Sequence, residues 1–322
     1  MMVPDTATFW AIPVGAALDA ALGDPQGWPH PVRAIGGLIT VSERVARAAV
    51  ARILGERAAG VSLAVAVVAG SVLVVWTLLE VCDRLGPTSA IAGRAVLIYW
   101  GIAPRCLGIE ALRVANAPEL GDARAALSRI VGRDTATLER GEVCRACVET
   151  VAENAVDAVV APLFWLAIAG PVGLWGYKAV STLDSRIGYR DDRYLKLGWA
   201  SARLDDVLAF LPARLTWLLV ALAALLTGER GVAALRVGWR DGRKHPSPNA
   251  AWGEAAMAGA LGIELGGPSR YRGVPSLKPI LGDPGDPIEP STVRRAVTLM
   301  RVVGWLAVAL AWVARAWTFG AA

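Results

Sequence analysis

Residues 58–79 read AAGVSLAVAVVAGSVLVVWTLL, twenty-two residues without a charge. A helix needs about 20 apolar residues to cross the hydrocarbon of a bilayer, so this stretch is read as a transmembrane helix. It decides the fold class because the rest of the chain is of the same kind. The 322 residues are 55% hydrophobic with a mean hydropathy of +0.45, whereas soluble domains are about 45–50% apolar. No Ser/Gly linker, low-complexity tract or internal repeat divides the sequence. The expectation is one all-α, multi-pass domain over residues 1–322, embedded in the cell membrane.

Outward from this segment, residues 89–107 form a weaker span interrupted by Arg94. Gly86-Pro87 between the two predicts a helical hairpin. At the start, the stretch around Asp19 lacks a basic n-region, which reads as a retained first helix and not as a cleavable signal. Residues 158–177 carry no charge, but Gly170-Pro171 sits among them. A proline there removes a backbone donor, which leaves a kinked span or a re-entrant hairpin open. Residues 207–227 are apolar around Pro212 and Arg214. The last apolar run, 302–319, follows Pro290 and Ser291, with Ser291 predicted as the helix N-cap.

Net charge is +5, carried almost wholly by arginine. No basic block is interleaved with aromatics as a nucleic-acid groove requires, so nucleic acid is excluded as a partner. Segment 23–57 holds five arginines and segment 228–301 holds eleven Lys plus Arg, which places both on the cytoplasmic side. Segments 108–157 and 178–206 hold six each, so loop charge alone does not fix the number of spans. Cys144 and Cys147 have CxxC spacing without a second pair, and zinc usually takes four ligands. They read as inert thiols in a reducing compartment.

Four polar clusters abut apolar segments. Residues 18–33, LDAALGDPQGWPHPVR, bring Asp19, Asp24, His30 and Arg33 together on a path stiffened by Pro25, Pro29 and Pro31. In residues 149–165, Glu149, Glu153 and Asp157 fall at i, i+4 and i+8, on one face of a regular helix. Like charges at that spacing repel, so arginines from a neighbouring segment or a divalent cation should compensate them. Mg²⁺ suits one or two carboxylates completed by substrate phosphates. Residues 181–215 carry Asp184, Arg190, Tyr194, Arg203, Asp205, Asp206 and Arg214, acids and arginines that either pair or divide between metal and phosphate. The fourth cluster, DGRKHPSPNA at 241–250, sets Arg243, Lys244 and His245 on a proline-stiffened turn. Asn249 is the expected N-cap of a helix from Ala250. Cations beside a helix start favour an anion; the plainer reading is a polybasic patch on acidic lipid. No GxxxxGK[ST] loop and no GxSxG is present.

In this order, LDAALGDP…PHPVRAIG (18–36), ENAVDAVVAPLFW (153–165), GPVGLWGYKAVSTLDSRIGYR (170–190), GWASARLDDVLAFLPARL (198–215) and DGRKHPSPNAAWGEAAMAGALG (241–262) resemble the CobD/CbiB family of cobalamin biosynthesis. The resemblance runs from about residue 18 to residues 271–273. It departs at Ser181, where Asn is expected, and at Arg186, where an apolar residue is expected. It implies an ATP-consuming acid–amine ligase of the adenosylcobinamide-phosphate synthase type. Such an enzyme joins adenosylcobyric acid to (R)-1-amino-2-propanol or its O-phosphate, with other late enzymes of the pathway as candidate partners. Under that resemblance Glu153, Asp157 and Asp184, with Asp205 and Asp206, are assigned to Mg²⁺. Arg203, Arg243 and Lys244 are assigned to phosphates, with Arg33, Arg190, Arg214 and Asn249 as further substrate contacts. His245 or His30, beside Lys244, is assigned to proton transfer, a phosphate hydrogen bond being the alternative for His245. These groups are expected to converge at the cytoplasmic rim of the helical body. The rival readings are an intramembrane Mg²⁺-dependent transferase and a non-catalytic membrane sensor or transporter.

Overall fold

The computed structural model describes residues 6–25, 27, 28, 30–189 and 191–320, with side chains up to residue 317. In chain order the helices begin with α1 (Thr6–Leu22), α2 (Pro31–Val45), α3 (Ala51–Leu54), α4 (Glu56–Arg84) and α5 (Pro87–Gly101). There follow α6 (Pro104–Asn116), α7 (Leu120–Leu127), α8 (Arg140–Asn154), α9 (Ala161–Ile187) and α10 (Trp199–Leu208). Next come α11 (Phe210–Leu226), α12 (Gly231–Asp241) and α13 (Ala250–Leu261), then the hairpin strands β1 (Glu264–Tyr271) and β2 (Val274–Gly282), and last α14 (Pro290–Gly320). Two π-helical turns, Ala46–Val50 and Ala155–Val160, link α2 to α3 and α8 to α9. Among the described residues the protein is thus mostly helical, with one antiparallel hairpin added to the all-α expectation.

Among the described residues, four helical segments, Glu56–Arg84, Pro87–Asn116, Arg140–Ile187 and Pro290–Trp317, are long and apolar enough to cross a membrane. Trp199–Leu208 with Phe210–Leu226 makes a fifth if the bent pair is one span. The chain is a multi-pass membrane protein.

The chain divides into two compact units. The first comprises residues 1–103, 161–209 and 308–322. Its frame is the α4–α5 hairpin. Gly86 turns the chain at φ 110° and Pro87 starts α5, where its missing N–H costs nothing. The charge that interrupts the second span is neutralised inside this hairpin: buried Arg94 donates from Nη2 to Asp83 Oδ2 at 2.9 Å and from Nη1 to Oδ1 at 2.5 Å. α1 packs on α5, and α9 packs on α2, α4, α5 and α10. Inside α9, Ala169 leaves helical geometry and Gly170 adopts φ 64° with ψ −160°. That conformation is open to glycine, and Pro171 resumes the helix. Of the two readings left open for this segment, the helix shows a break at Gly170.

The second unit comprises residues 104–160 and 210–307. Its centre is α13, AAWGEAAMAGAL, of which every residue from Ala251 to Leu261 is buried. Small side chains let α8, α11, α12 and the hairpin all approach this one helix. Val156, Ala213 and Trp252 form a buried cluster with Trp217 against it. The hairpin closes through Arg272 (φ 51°) and Gly273 (φ 79°), two residues with positive φ as the commonest tight hairpin turn demands. The Asp134 carboxylate fixes the turn, accepting from the backbone N–H of Arg272 at 3.2 Å and of Gly273 at 2.7 Å.

The start of α14 differs from the expectation. The helix begins at Pro290, so Ser291 lies inside it. The side chain at this end belongs to buried Thr292, whose Oγ1 accepts from the backbone N–H of Glu289 at 3.2 Å.

Candidate functional site

The second unit builds its polar site around the turn at 242–249. α12 ends on Asp241, a carboxylate with 0% exposure. A buried carboxylate needs donors, and four arrive. Arg240 gives Nε at 2.8 Å and Nη2 at 2.7 Å, Lys244 Nζ lies at 2.7 Å, and the Gly282 backbone N–H at 2.9 Å. Burial alone would raise the pKa of Asp241. The donors from Arg240, Lys244 and Gly282 outweigh it and hold the carboxyl at about 2. Lys244 also donates to the Ile280 carbonyl at 3.2 Å, so two of its three N–H groups are committed and one remains for a ligand. Arg243 lies 4.7 Å from the Trp239 ring centroid and 5.9 Å from that of Trp252.

Asn249 precedes α13 as expected, but its side chain does not cap the helix. Its Oδ1 accepts from Arg214 Nη1 at 2.6 Å instead. Arg214 also donates to the Pro248 carbonyl at 3.0 Å and lies 3.6 Å from the Phe210 ring centroid. Arg214 and Asn249 therefore hold the turn in place. The strong arginine donor takes the amide oxygen that a cap would have used.

The two histidines share one local device. His245 Nδ1 accepts from the Ser247 backbone N–H at 3.0 Å, and His30 Nδ1 accepts from that of Val32 at 3.2 Å. Each is a His-Pro-X segment, the proline holding the chain so that the second N–H reaches back. A neutral imidazole that accepts at Nδ1 carries its proton on Nε2, so Nε2 is the donor in both. For His30, Nε2 faces Asp24 Oδ1 at 3.7 Å.

The three acids of α8 and the turn after it are unlike one another. Glu149 is 1% exposed, Glu153 is exposed and Asp157 half-buried. Asp157 lies in the π-helical turn Ala155–Val160, and the wider turn takes it off the regular i, i+4, i+8 face. Of the two compensations expected, the cations are found at Glu149. Arg133 pairs with it, Lys278 Nζ lies 3.9 Å away, and Arg145 Nε lies at 3.9 Å. The Gly266 backbone N–H adds a bond of 2.9 Å. Burial works against the charge of Arg133, but Glu149 outweighs it and raises the guanidinium pKa.

Glu254, on α13, is also buried at 4% exposure, yet its sole partner among the described residues is Lys278 Nζ at 3.8 Å, outside hydrogen-bond reach. Burial pushes its carboxyl up to about 8, with Lys278 opposing and Glu153 and Glu149 reinforcing the shift. Burial likewise opposes the Lys278 charge, but the carboxylates of Glu254, Glu149 and Glu153 prevail and raise its pKa.

The first unit carries the other residues singled out in the sequence. His30 stands immediately before α2 and exposed Arg33 in its first turn. Half-buried Asp184 lies near the end of α9, which packs on both α2 and α10. On α10, exposed Arg203 lies 4.0 Å from Asp206, and Asp205 and Asp206 are half-buried. Arg190 and Pro29 lie outside the described residues. Among the described residues, no group of three or more His, Cys, Asp or Glu side chains is arranged to hold a metal ion. Any Mg²⁺ here would rest on one or two of these carboxylates, with phosphates supplying the remaining ligands. All four cysteines are free, and Cys144 and Cys147 are buried.

Sequence reasoning passed over Asp241, Glu254 and Lys278. The only local signal was Asp241 beside Arg240. The partners of Glu254 and Lys278 come from remote segments.

Comparison with known proteins gives one consistent answer. The family described as CobD/Cbib protein matches residues 12–300. The cobalamin biosynthesis protein CobD of Klebsiella pneumoniae is 46% identical over 318 residues, 98% of this chain and all of the relative. The cobalamin biosynthesis protein CbiB of Salmonella typhimurium is 44% identical over 318 residues, with the same coverage. The Pelobacter propionicus CobD is 48% identical over 286 residues, 88% of each chain. No solved structure matches.

Proposed function

The chain belongs to the CobD/CbiB family of cobalamin biosynthesis proteins, and on that premise we propose that it is an ATP-consuming ligase. Its substrates in this reading are the carboxylate of adenosylcobyric acid and (R)-1-amino-2-propanol or the O-phosphate of that amine. The observation that carries the site is the turn at 242–249, cationic and anchored on a fully buried carboxylate. A carboxylate at pH 7 does not react with an amine until it is activated, and an acyl phosphate is the simplest activated form. The carboxylate oxygen attacks the terminal phosphorus of ATP and ADP leaves. The amine nitrogen then attacks the carbonyl carbon, and phosphate leaves.

Both steps place negative charge on phosphoryl oxygens, which prearranged cations stabilise without reorganising. Lys244 offers its third N–H, Arg243 its guanidinium and His245 its Nε2–H. Arg214 and Asn249 keep the turn in position. Mg²⁺ in such a reaction neutralises phosphate charge; Glu153, Asp157, Asp184, Asp205 and Asp206 are the candidate carboxylates. Arg33, Arg190 and Arg203 are candidate contacts to the acidic groups of the substrates. The test is incubation of the purified full-length protein with adenosylcobyric acid, either amine, ATP and Mg²⁺. The expected result is a corrinoid heavier by the coupled amine, with ADP released in equal amount. ATP-independent coupling, or no coupled corrinoid with either amine, overturns the reading.

A further inference from the structure

Three arginines accompany α12, and they are committed to different degrees. Arg240 is taken up by Asp241, Asp283 and the Gly282 carbonyl. Arg236 makes one bond, from Nη2 to Asp283 Oδ2 at 3.2 Å. Arg230, just before the helix, makes no guanidinium hydrogen bond among the described residues. The Asp286 carboxylate is 3.7 Å from its Nη2, with both side chains largely exposed, and an ion pair so exposed holds little. Most of the N–H groups on Arg230 and Arg236 are therefore unspent.

These two arginines line an open groove of about 510 Å³, with Leu225 from the end of α11 and Val232 and Ala233 from the first turn of α12. Glu229 also lines it, but its carboxylate is engaged by Arg295, whose Nε lies at 2.7 Å. The groove is thus net cationic. Arg230 is fixed in place: its backbone N–H donates to the Ala260 carbonyl at 3.1 Å. Its guanidinium lies against Gly262, where a Cβ would collide with it. The rest of the lining is apolar and open. Leu225 is 58% exposed and Val232 73%. On α11, Leu225 prolongs a row of exposed leucines, Leu211, Leu218 and Leu222, whose spacing puts them on one helix face. α11 is one arm of the bent pair that makes the fifth candidate span. Leucines on the outer face of a span meet acyl chains, and arginines at its end stand at headgroup level.

We infer that this groove holds an acidic phospholipid, a site separate from the amide-forming chemistry. The phosphodiester lies between Arg230 and Arg236, where guanidinium forks suit phosphate oxygens. The acyl chains run along Leu225, Leu222 and Leu218. A phosphate free in water gains nothing from Leu225 and Val232. A lipid without net charge gains little from two cations. An acidic phospholipid uses both halves of the groove.

The full-length protein is delipidated in neutral detergent and titrated under native mass spectrometry with phosphatidylglycerol, or with phosphatidylcholine of the same chains. A third titration adds glycerol 3-phosphate to the phosphatidylglycerol. The wild type is expected to take up phosphatidylglycerol in preference to phosphatidylcholine, undisturbed by glycerol 3-phosphate. R230Q should lower that preference about 5-fold and R230Q/R236Q about 30-fold, at about 1 kcal/mol per cation. Both side chains are exposed, so the variants keep their fold, which an unchanged size-exclusion profile verifies. L225N should weaken both lipids alike. R84Q, at an exposed arginine on α4, should leave the preference as it is. No preference in the wild type, a preference that survives in R230Q/R236Q, or an equal drop in R84Q overturns the site. Unchanged binding of both lipids to L225N overturns the path of the chains. Displacement of the lipid by glycerol 3-phosphate overturns the phospholipid as occupant, in favour of a free phosphate anion.

Discussion

Two buried acids in the second unit, Asp241 and Glu254, are treated in opposite ways. Both lie against β2, and both are almost fully removed from water. Asp241 receives donors from Arg240, Lys244 and the Gly282 backbone, and its carboxyl is held at about 2. Glu254 has one ammonium at 3.8 Å and no donor in reach among the described residues, and its carboxyl is pushed up to about 8. Both side chains are covered, but they differ in depth as well as in hydrogen bonds: Asp241 lies close to the surface, and Glu254 lies deep in the unit. A saturated carboxylate serves as an anchor. A starved one is a group that can exchange a proton.

The largest expected effect comes from removing the anchor. Asp241→Ala takes the acceptor from Arg240, Lys244 and the Gly282 N–H; the two cations are nearly half exposed and regain water, so the expected cost is that of lost charged hydrogen bonds, about 3 kcal/mol. The expected outcome is a large drop in thermal midpoint and low accumulation, read by fluorescence-detected size exclusion on heating. A midpoint unchanged from wild type would break the contrast at its stronger end.

The pH dependence should differ in sign. For Asp241 the folded pKa is below the usual 3.8, so its contribution is complete above about pH 4 and is lost as pH falls toward 2. For Glu254 the folded pKa is above the usual 4.5. The folded state then holds the extra proton, so its contribution is complete below about pH 4.5 and is lost as pH rises to about 8. E254Q, which mimics the protonated acid, should therefore gain thermal midpoint over wild type as pH rises from 5 to 8, with no further gain above. The full difference is on the order of a few kcal/mol, from 1.36 kcal/mol per pKa unit. A gain that shrinks with rising pH would reverse the assignment.

Lys278→Met should cost less, about 1–3 kcal/mol, because Glu149 keeps Arg133 and the Gly266 N–H. It should move the E254Q-sensitive pH transition upward, as the attracting ammonium is gone. Asp134→Ala removes two acceptors from the hairpin turn. We expect a loss of about 1 kcal/mol, seen as faster amide exchange at Arg272 and Gly273. The smallest effect belongs to exposed Arg203, which lies beside half-buried Asp206. Arg203→Ala should change thermal stability by less than about 0.5 kcal/mol, so any large loss of coupling activity in that variant would mark a ligand contact.

The sequence carried the membrane architecture because apolar length and Gly/Pro punctuation are local signals. The α4–α5 hairpin, its Gly86-Pro87 turn and the break at Gly170 were all legible in this way. The β hairpin was not. Pro268, Pro275 and Pro279 argue against strands, and its turn is Arg-Gly, where Asn-Gly is the familiar signal. The π-helical turn at Ala155–Val160 was hidden for another reason: a regular 3.6-residue period was assumed through Asp157. The cationic turn was visible as an unusual run of residues. Its anchor, and the carboxylate opposite Lys278, depend on partners brought in from β2, which no spacing along the chain reveals. The Asn249 side chain shows the same limit, since Arg214, 35 residues away, decides what it does.

The most direct measurement is an infrared titration of the full-length protein from pH 5 to 10, read as the difference between wild type and E254Q. The expected difference contains one protonated carboxylic-acid band that converts to a carboxylate band with a midpoint near 8. A midpoint near the ordinary glutamate value, or no protonated band at pH 6, would mean that Glu254 is charged like Asp241, and the contrast between the two buried carboxylates would be lost.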